Sequence, residues 1–392
     1  MTRRAILLVP SLTRREQLAA RDQLVQSLLH YTDGWESSAA DSDDSSGMNV
    51  TTVTAKGRQG EGEVVLDLYE AYWADLVPDR SGESPWQRFS RGFTLVTYWM
   101  TGGLMKALLR GEFPVRTMVA MIIAGLSLII WYAIVVVVLL KSVAAGDAEL
   151  PKAITNLTDL LGITGPFTEW AKQINDWPVS VFLAGLLTLG RFEGISNISA
   201  FTKAYLRDDP MGEDQMGVRA KARKRVLALL DHVHGRSGDV AYDEVYVVAH
   251  SLGGAIAIDA LAEYGQRLAG TTLITWGTAI GTLAQREPLI EAEIRKFYTA
   301  PTRIRNWVDV VFPNDFMGSK VPIPIEERHG LIERPRLKRI FPDTVSPRIP
   351  RGLLFRLSEV HNGYYRSEEA ILMLVKPAAD LPQPVTDAPA DG

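Results

Sequence analysis

Residues 245–255, Val-Tyr-Val-Val-Ala-His-Ser-Leu-Gly-Gly-Ala, restrict the possible folds of this chain more than any other stretch. An apolar, β-branched run is followed at once by small residues and then by a small-residue helical pattern over 255–268. That order predicts a buried strand, a sharp turn and a helix, with Ser251 at the apex of the turn. Such a turn strains its own backbone and lets neighbouring elements pass close by. The positions two before and two after the serine must therefore be small. Ala249 and Gly253 meet that demand. The hydroxyl then stands exposed at the strand end, and the N–H of Leu252 lies at the helix N-terminus, where a negative oxygen could be held.

A serine hydroxyl is a weak nucleophile until a histidine takes its proton and a carboxylate orients that histidine. Downstream of Ser251 the only histidines are His329 and His361. His361 follows a strand-like run, 353–357, and precedes an expected final helix, 368–375. His329 sits among charges with no strand before it and reads as a solvated loop residue. The run 303–308 reads as another strand, with Asp309 at its C-terminal end. Open parallel sheets place their chemistry at that edge. Asp315, in Pro313-Asn314-Asp315, is the second choice, and a turn role suits it better.

At these positions the chain resembles the α/β-hydrolase superfamily, and within it the lipase- and esterase-like members that read Gly-His-Ser-Leu-Gly-Gly. Ala249 replaces their first glycine. Residues 273–281, 309–313 and His361-Asn362-Gly363-Tyr364 are similar to stretches of class 3 and related lipases, in the family's order of serine, acid, histidine. The resemblance implies an α/β fold whose mostly parallel sheet carries helices on both faces. It also implies a serine hydrolase that cleaves an acyl ester through an acyl-enzyme, with Ser251 as nucleophile, Asp309 as acid and His361 as base. The N–H of Leu252 would hold the oxyanion.

The apolar run 5–9 reads as a strand buried on both faces. Pro10-Ser11-Leu12 follows it, where the family supplies the second oxyanion donor, here the N–H of Leu12. Tyr72 and Trp73 are expected either to line the substrate pocket or to be core aromatics where the insertion departs, and His250 is expected to contact substrate. Because the run 5–9 comes so early, the superfamily's first two strands are expected to be missing. No cofactor and no metal ion are expected.

Composition narrows the partners. With 42 basic and 46 acidic residues the formal net charge is -4, which gives no global case for nucleic acid. The absence of cysteine excludes disulfides, thiolate chemistry and Cys-ligated zinc. No secretory signal is expected, since the apolar run after Arg3 and Arg4 is too short for one. Segments 33–47 and 377–392, rich in Ser and Asp or in Pro, Ala and Asp, read as a disordered loop and tail. The basic run 219–225 reads as a solvated helix face.

Residues 117–140 contain no charge and are bracketed by Arg116 and Lys141. About 20 such residues span a bilayer core as a helix. Strands on either side of this segment should share one sheet, so the chain must cross an even number of times. The best second crossing is 177–190; residues 92–109 would then be an amphipathic helix at the interface or over the active site. Arg110, Arg116, Arg191, Lys203 and Arg207 fall on the hydrolase side, which makes that side cytosolic by the positive-inside rule. The expected organisation is a discontinuous hydrolase domain, 1–75 and 200–376, interrupted by a helical membrane-associated insertion, 76–199. Acyl esters or lipids and the membrane itself are the expected partners. The alternatives are a non-catalytic membrane scaffold built on a degenerate hydrolase fold, or a peptidase or thioesterase with the same triad.

Overall fold

The computed structural model describes residues 1–12, 16–32, 36–43, 48–56, 63–78, 80, 82–101, 106, 108, 110, 115–144, 192–235, 241–264, 271–299, 304–315, 317–323, 337–340 and 359–381. The chain divides into two compact units, Met1–Val77 with Asp208–Gly392, and Pro78–Arg207.

The first unit is built on an eight-stranded sheet. Its strands are β1 (Thr2–Val9), β2 (Glu36–Asp43), β3 (Asn49–Lys56), β4 (Glu63–Glu70), β5 (Glu244–His250), β6 (Thr271–Trp276), β7 (Asn306–Val310) and β8 (Leu337–Ile340). Their spatial order is β2-β3-β4-β1-β5-β6-β7-β8. From β4 to β8 every neighbouring pair is parallel, and only β2–β3 and β3–β4 are antiparallel. The unit is therefore α/β with a mostly parallel sheet.

Parallel strands covered on both faces read as continuous apolar runs, and Ala5 to Val9 are all fully buried. Alternate residues face opposite layers. Ile6, Leu8, Tyr246, Val248, Ile274, Trp276, Val308 and Val310 pack with α1 (Ala19–Tyr31) and α9 (Glu368–Leu372). The opposite face carries Trp307, whose ring meets Phe297 of α8 (Pro288–Thr299) edge-on at 5.5 Å. On that side lie α5 (Val218–His234) and α6 (Gly253–Tyr264). A short helix, α7 (Ile280–Arg286), leads from β6 towards α8.

Three expectations are corrected here. Segment 33–47 is not a disordered loop throughout, because Glu36–Asp43 forms β2 against β3. An edge strand needs only backbone pairing, and polar side chains there are soluble and protective. The edge beyond β4 therefore carries an antiparallel pair, inserted after α1 rather than before β1. The tail is packed in part over 377–381 as well: Ala378 and Leu381 are buried, and the Ala378 N–H donates to Glu244 Oε1 at 2.9 Å. The remainder of that tail, 382–392, lies outside the described residues.

Third, the basic run 219–225 is a solvated face only in part: Lys224 is exposed, whereas Arg219 is buried. Arg219 pairs with Asp259 inside the protein, Lys221 with Asp214, Arg223 with Glu263 and Arg225 with Asp75. The partners come from distant stretches of sequence, so the charge is neutralised locally where the linear pattern shows only a cationic cluster.

The second unit is helical. α2 (Pro85–Met100) starts with a capping box between Ser84 and Gln87 and with a proline in its first turn. It packs with α3 (Val115–Ala144) and α4 (Phe192–Arg207) around Leu95, Leu128, Trp131, Val135 and Ala200. Gly92 lets α2 and α3 approach: a Cβ there would lie 2.4 Å from the Tyr132 ring. Arg91 is held between these helices by Glu83 at 2.6 Å, Ser196 Oγ at 2.5 Å and the Trp131 ring at 4.8 Å.

One side of α3 is different. Val119, Ile122, Leu126, Ile129 and Ile130 are exposed at helical spacing. The side chains of α3 are described only between Met118 and Val136, and among the described residues no helix is long and apolar enough to cross a membrane. The expected second crossing, 177–190, and much of 101–114 lie outside the described residues.

Candidate active site

The turn after β5 has the strain that its sequence demands. Ser251 has φ +57°, the left-handed region that a residue with a Cβ seldom adopts. Its N–H donates to the Trp276 carbonyl at 3.1 Å, and its own carbonyl accepts from the Gly254 N–H at 3.0 Å. The turn is thus fastened to β6 on one side and to α6 on the other. Gly253 cannot be any other residue without movement: a Cβ there would lie 2.3 Å from the Val9 carbonyl oxygen and 2.6 Å from that of Pro10. The close approach sets the loop after β1 directly against the serine turn. Trp73 secures the loop, donating from Nε1 to the Pro10 carbonyl at 3.1 Å. The N–H of Leu252 makes no hydrogen bond with another described residue.

His361 lies beside this turn. Its carbonyl accepts a 2.7 Å hydrogen bond from Nε2 of His250, the residue before the serine, and the two rings are 4.9 Å apart. Nδ1 of His361 faces Asp315, at 2.9 Å from Oδ2 and 3.1 Å from Oδ1. Nε2 is buried without a hydrogen-bond partner among the described residues, so the Ser251 hydroxyl is not bonded to it in this structure. Asp315 also accepts from the Tyr364 hydroxyl at 2.9 Å, the Met317 N–H at 2.9 Å and the Gly318 N–H at 3.0 Å.

Burial pushes the Asp315 carboxyl up, but the His361 charge and hydrogen bond, with the donors from Gly318 and Tyr364, outweigh it and hold the group below the usual carboxylate range. Burial, then the neighbouring Asp315 charge, push the Tyr364 phenol well above its ordinary value, which keeps it a donor. The Tyr364 ring is fixed in turn, stacked on Phe312 at 3.9 Å, with its oxygen accepting from the Phe312 N–H.

The loop carrying Asp315 is anchored at both ends. Gly277, just after β6, has φ +50°, and a Cβ there would sit 2.5 Å from Asp315 Oδ2. Ser319 accepts from the N–H groups of Gly281 and Thr282 and donates to the Thr278 carbonyl, which ties the loop to the start of α7.

The expected acid, Asp309, is not the partner of His361. It lies within β7, opposite Thr275, and accepts from Thr275 Oγ1 at 2.9 Å and from the Val321 N–H at 3.0 Å. Strand alternation explains the correction. Val308 and Val310 face the layer that holds Tyr364 and Tyr365, so Asp309 faces the opposite one. Asp315, taken from sequence as a turn residue, supplies the carboxylate while also making the turn through Met317 and Gly318.

Two of the three expected substrate contacts are occupied otherwise. Trp73 is fully buried under the β1 loop, and His250 is fully buried against His361 and the tyrosines. Tyr72 is partly exposed, and its carbonyl accepts from Arg225. Leu12 is partly exposed in the loop after β1. His329 lies outside the described residues. Sequence reasoning ranked Asp315 second and gave Tyr364 no part in holding it; Gly277 and Gly318 lie close against Asp315. Among the described residues no group of His, Asp and Glu side chains is arranged to hold a metal ion. Comparison with protein-family models, curated proteins and solved structures finds no match to the chain.

Proposed function

We propose that the chain is a membrane-tethered serine hydrolase of the α/β-hydrolase type, lipase- or esterase-like, using Ser251, His361 and Asp315. The observation that carries this reading is the buried His361–Asp315 pair set beside a serine at φ +57° on a strand–helix turn. A structural histidine has no need of an adjacent carboxylate with both oxygens turned to Nδ1 while Nε2 stays unbonded.

In this mechanism Ser251 Oγ attacks the acyl carbonyl carbon as His361 Nε2 takes the hydroxyl proton. Asp315 stabilises the imidazolium that forms. The N–H groups of Leu252 and Leu12 hold the tetrahedral oxyanion. Collapse expels the alkoxide, which leaves as alcohol with the proton from Nε2. Water, deprotonated by the same nitrogen, then attacks the acyl-enzyme, releases the carboxylic acid and restores the serine. A fluorophosphonate probe should label the wild-type protein and leave Ser251→Ala unlabelled; equal labelling of both defeats the assignment.

The tether rests on the uncharged sequence 117–140 and on the apolar stripe of α3, whose Val119, Ile122, Leu126, Ile129 and Ile130 are exposed among the described residues. Lipid is the environment in which such a stripe is stable. Two crossings, with the catalytic unit on the cytosolic side, follow from the flanking charges. A reporter at Asp159 should then lie outside and one at the C-terminus inside. Substrates near that surface would be acyl esters or lipids, and acyl-chain-length profiling with Ser251→Ala as blank identifies them.

A further inference from the structure

His250 is the last residue of β5, fully buried and paired in register with Trp276 of β6. Its Nε2 lies 2.7 Å from the His361 carbonyl oxygen. A carbonyl has no proton to give, so Nε2 carries the hydrogen and His250 is the donor. The ring is confined on the remaining sides. It lies 4.9 Å from the His361 ring, 5.7 Å from Tyr364, and 5.5 Å from Tyr365 in an edge-on contact. Both tyrosines belong to the core beneath the sheet, so the whole assembly is rigidly backed.

His361 is therefore held at two points: Asp315 takes its Nδ1 and His250 takes its main-chain oxygen. His250 is also the immediate neighbour of Ser251, so the second hold refers the base's main chain directly to the strand that ends at the nucleophile. We infer that His250 is a positioning residue, acting on the reaction through His361 and not by contact with substrate. The inference rests on the hydrolase reading. A misplacement of about 1 Å between reacting groups costs on the order of a hundredfold in rate, and the 2.7 Å bond guards against that error.

The test compares His250→Phe, which fills the space without a donor, with His250→Gln, whose amide N–H restores one. The readout is the fluorophosphonate labelling reaction, resolved into its saturating rate kinact and its half-saturation constant KI. In His250→Phe, kinact falls by about tenfold or more at unchanged KI, and in His250→Gln it returns to within about threefold of wild type. Three results overturn the inference: wild-type kinact in His250→Phe, a change confined to KI, or equal loss in both variants with matching thermal unfolding.

Imidazole nitrogen NMR of the wild-type protein gives an independent reading. An Nε2–H tautomer of His250 supports the tether and an Nδ1–H tautomer overturns it, even if His250→Phe does not fold. Absence of labelling in wild type, with the Nε2–H tautomer observed, defeats the hydrolase reading and leaves the tether standing as a structural one.

Discussion

Asp315 presents both carboxylate oxygens to Nδ1 of His361, at 2.9 and 3.1 Å. A carboxylate accepts only, so Nδ1 carries the proton and the Nε2 lone pair is left for a donor on the other side of the ring. The carboxylate cannot rotate away, because Tyr364, Met317 and Gly318 donate to it from other directions. The pair therefore presets the tautomer a base needs. It also places a fixed negative charge where positive charge develops when the imidazole takes a proton.

The two buried aspartates of this region should behave in opposite ways. Asp315→Asn keeps the size of the side chain but removes the charge and permits the wrong imidazole tautomer, and labelling should slow by about 10⁴-fold, as for other triad acids. Asp309→Asn leaves the His361–Asp315 hydrogen bonds in place. It leaves Thr275 or Val321 poorly paired and should cost about 1–3 kcal/mol of stability, with labelling of the folded protein near wild type. Labelling rates and urea unfolding of both variants decide it; a slow Asp309→Asn with a fast Asp315→Asn would restore the strand residue as the acid.

This contrast shows which features the sequence reveals. The serine turn was legible because its demands are local: a β-branched buried run, small residues at fixed offsets, and a glycine where Val9 and Pro10 pass within contact. His361 was legible because so few histidines follow the serine. The choice between Asp309 and Asp315 was not legible, since the face Asp309 turns to depends on the Thr275–Asp309 register between two strands far apart in sequence. The β2 strand was hidden for a related reason: an edge strand of Ser and Asp is held by backbone pairing to β3, which leaves no apolar pattern to read. The ion pairs of the basic run need partners such as Asp75 and Asp259 that only the fold brings close.

Gly277 should prove more important for activity than for stability. Alanine at this position must accept φ +50° and push against Asp315 Oδ2 and the Tyr364 ring, both 2.5 Å from the new Cβ. The left-handed backbone alone costs about 1 kcal/mol or more. Tyr364 is stacked and cannot yield, so the carboxylate moves and the labelling rate falls by roughly a hundredfold. Thermal unfolding and labelling measured together check this, and wild-type labelling in Gly277→Ala would show that the acid needs no such exact placement.

Acid should weaken the protein through Asp315. Its carboxyl is held below the usual range, so the native state binds its proton less readily than the unfolded chain, whose Asp titrates near ~3.9. The stabilisation it contributes is complete above that unfolded value and is lost as pH falls through the lower, folded one. The unfolding free energies of wild type and Asp315→Asn, followed by urea from pH 7 downward, should therefore converge as pH falls below about 4. A difference that stays constant to the lowest pH at which the protein folds contradicts the depressed carboxyl.

Strain at Ser251 provides the last prediction. A side chain at φ +57° costs about 1 kcal/mol or more relative to glycine, because the Cβ crowds the following carbonyl. Ser251→Gly should thus raise the unfolding free energy by about 1 kcal/mol, while Ser251→Ala, which keeps the Cβ in the same place, should not. Both variants lose the hydroxyl and with it all labelling. The comparison isolates backbone strain from chemistry: the two differ in the Cβ and in nothing that could react. Equal stabilities for the glycine and alanine proteins would mean that the turn stores no strain and that its left-handed backbone has another cause.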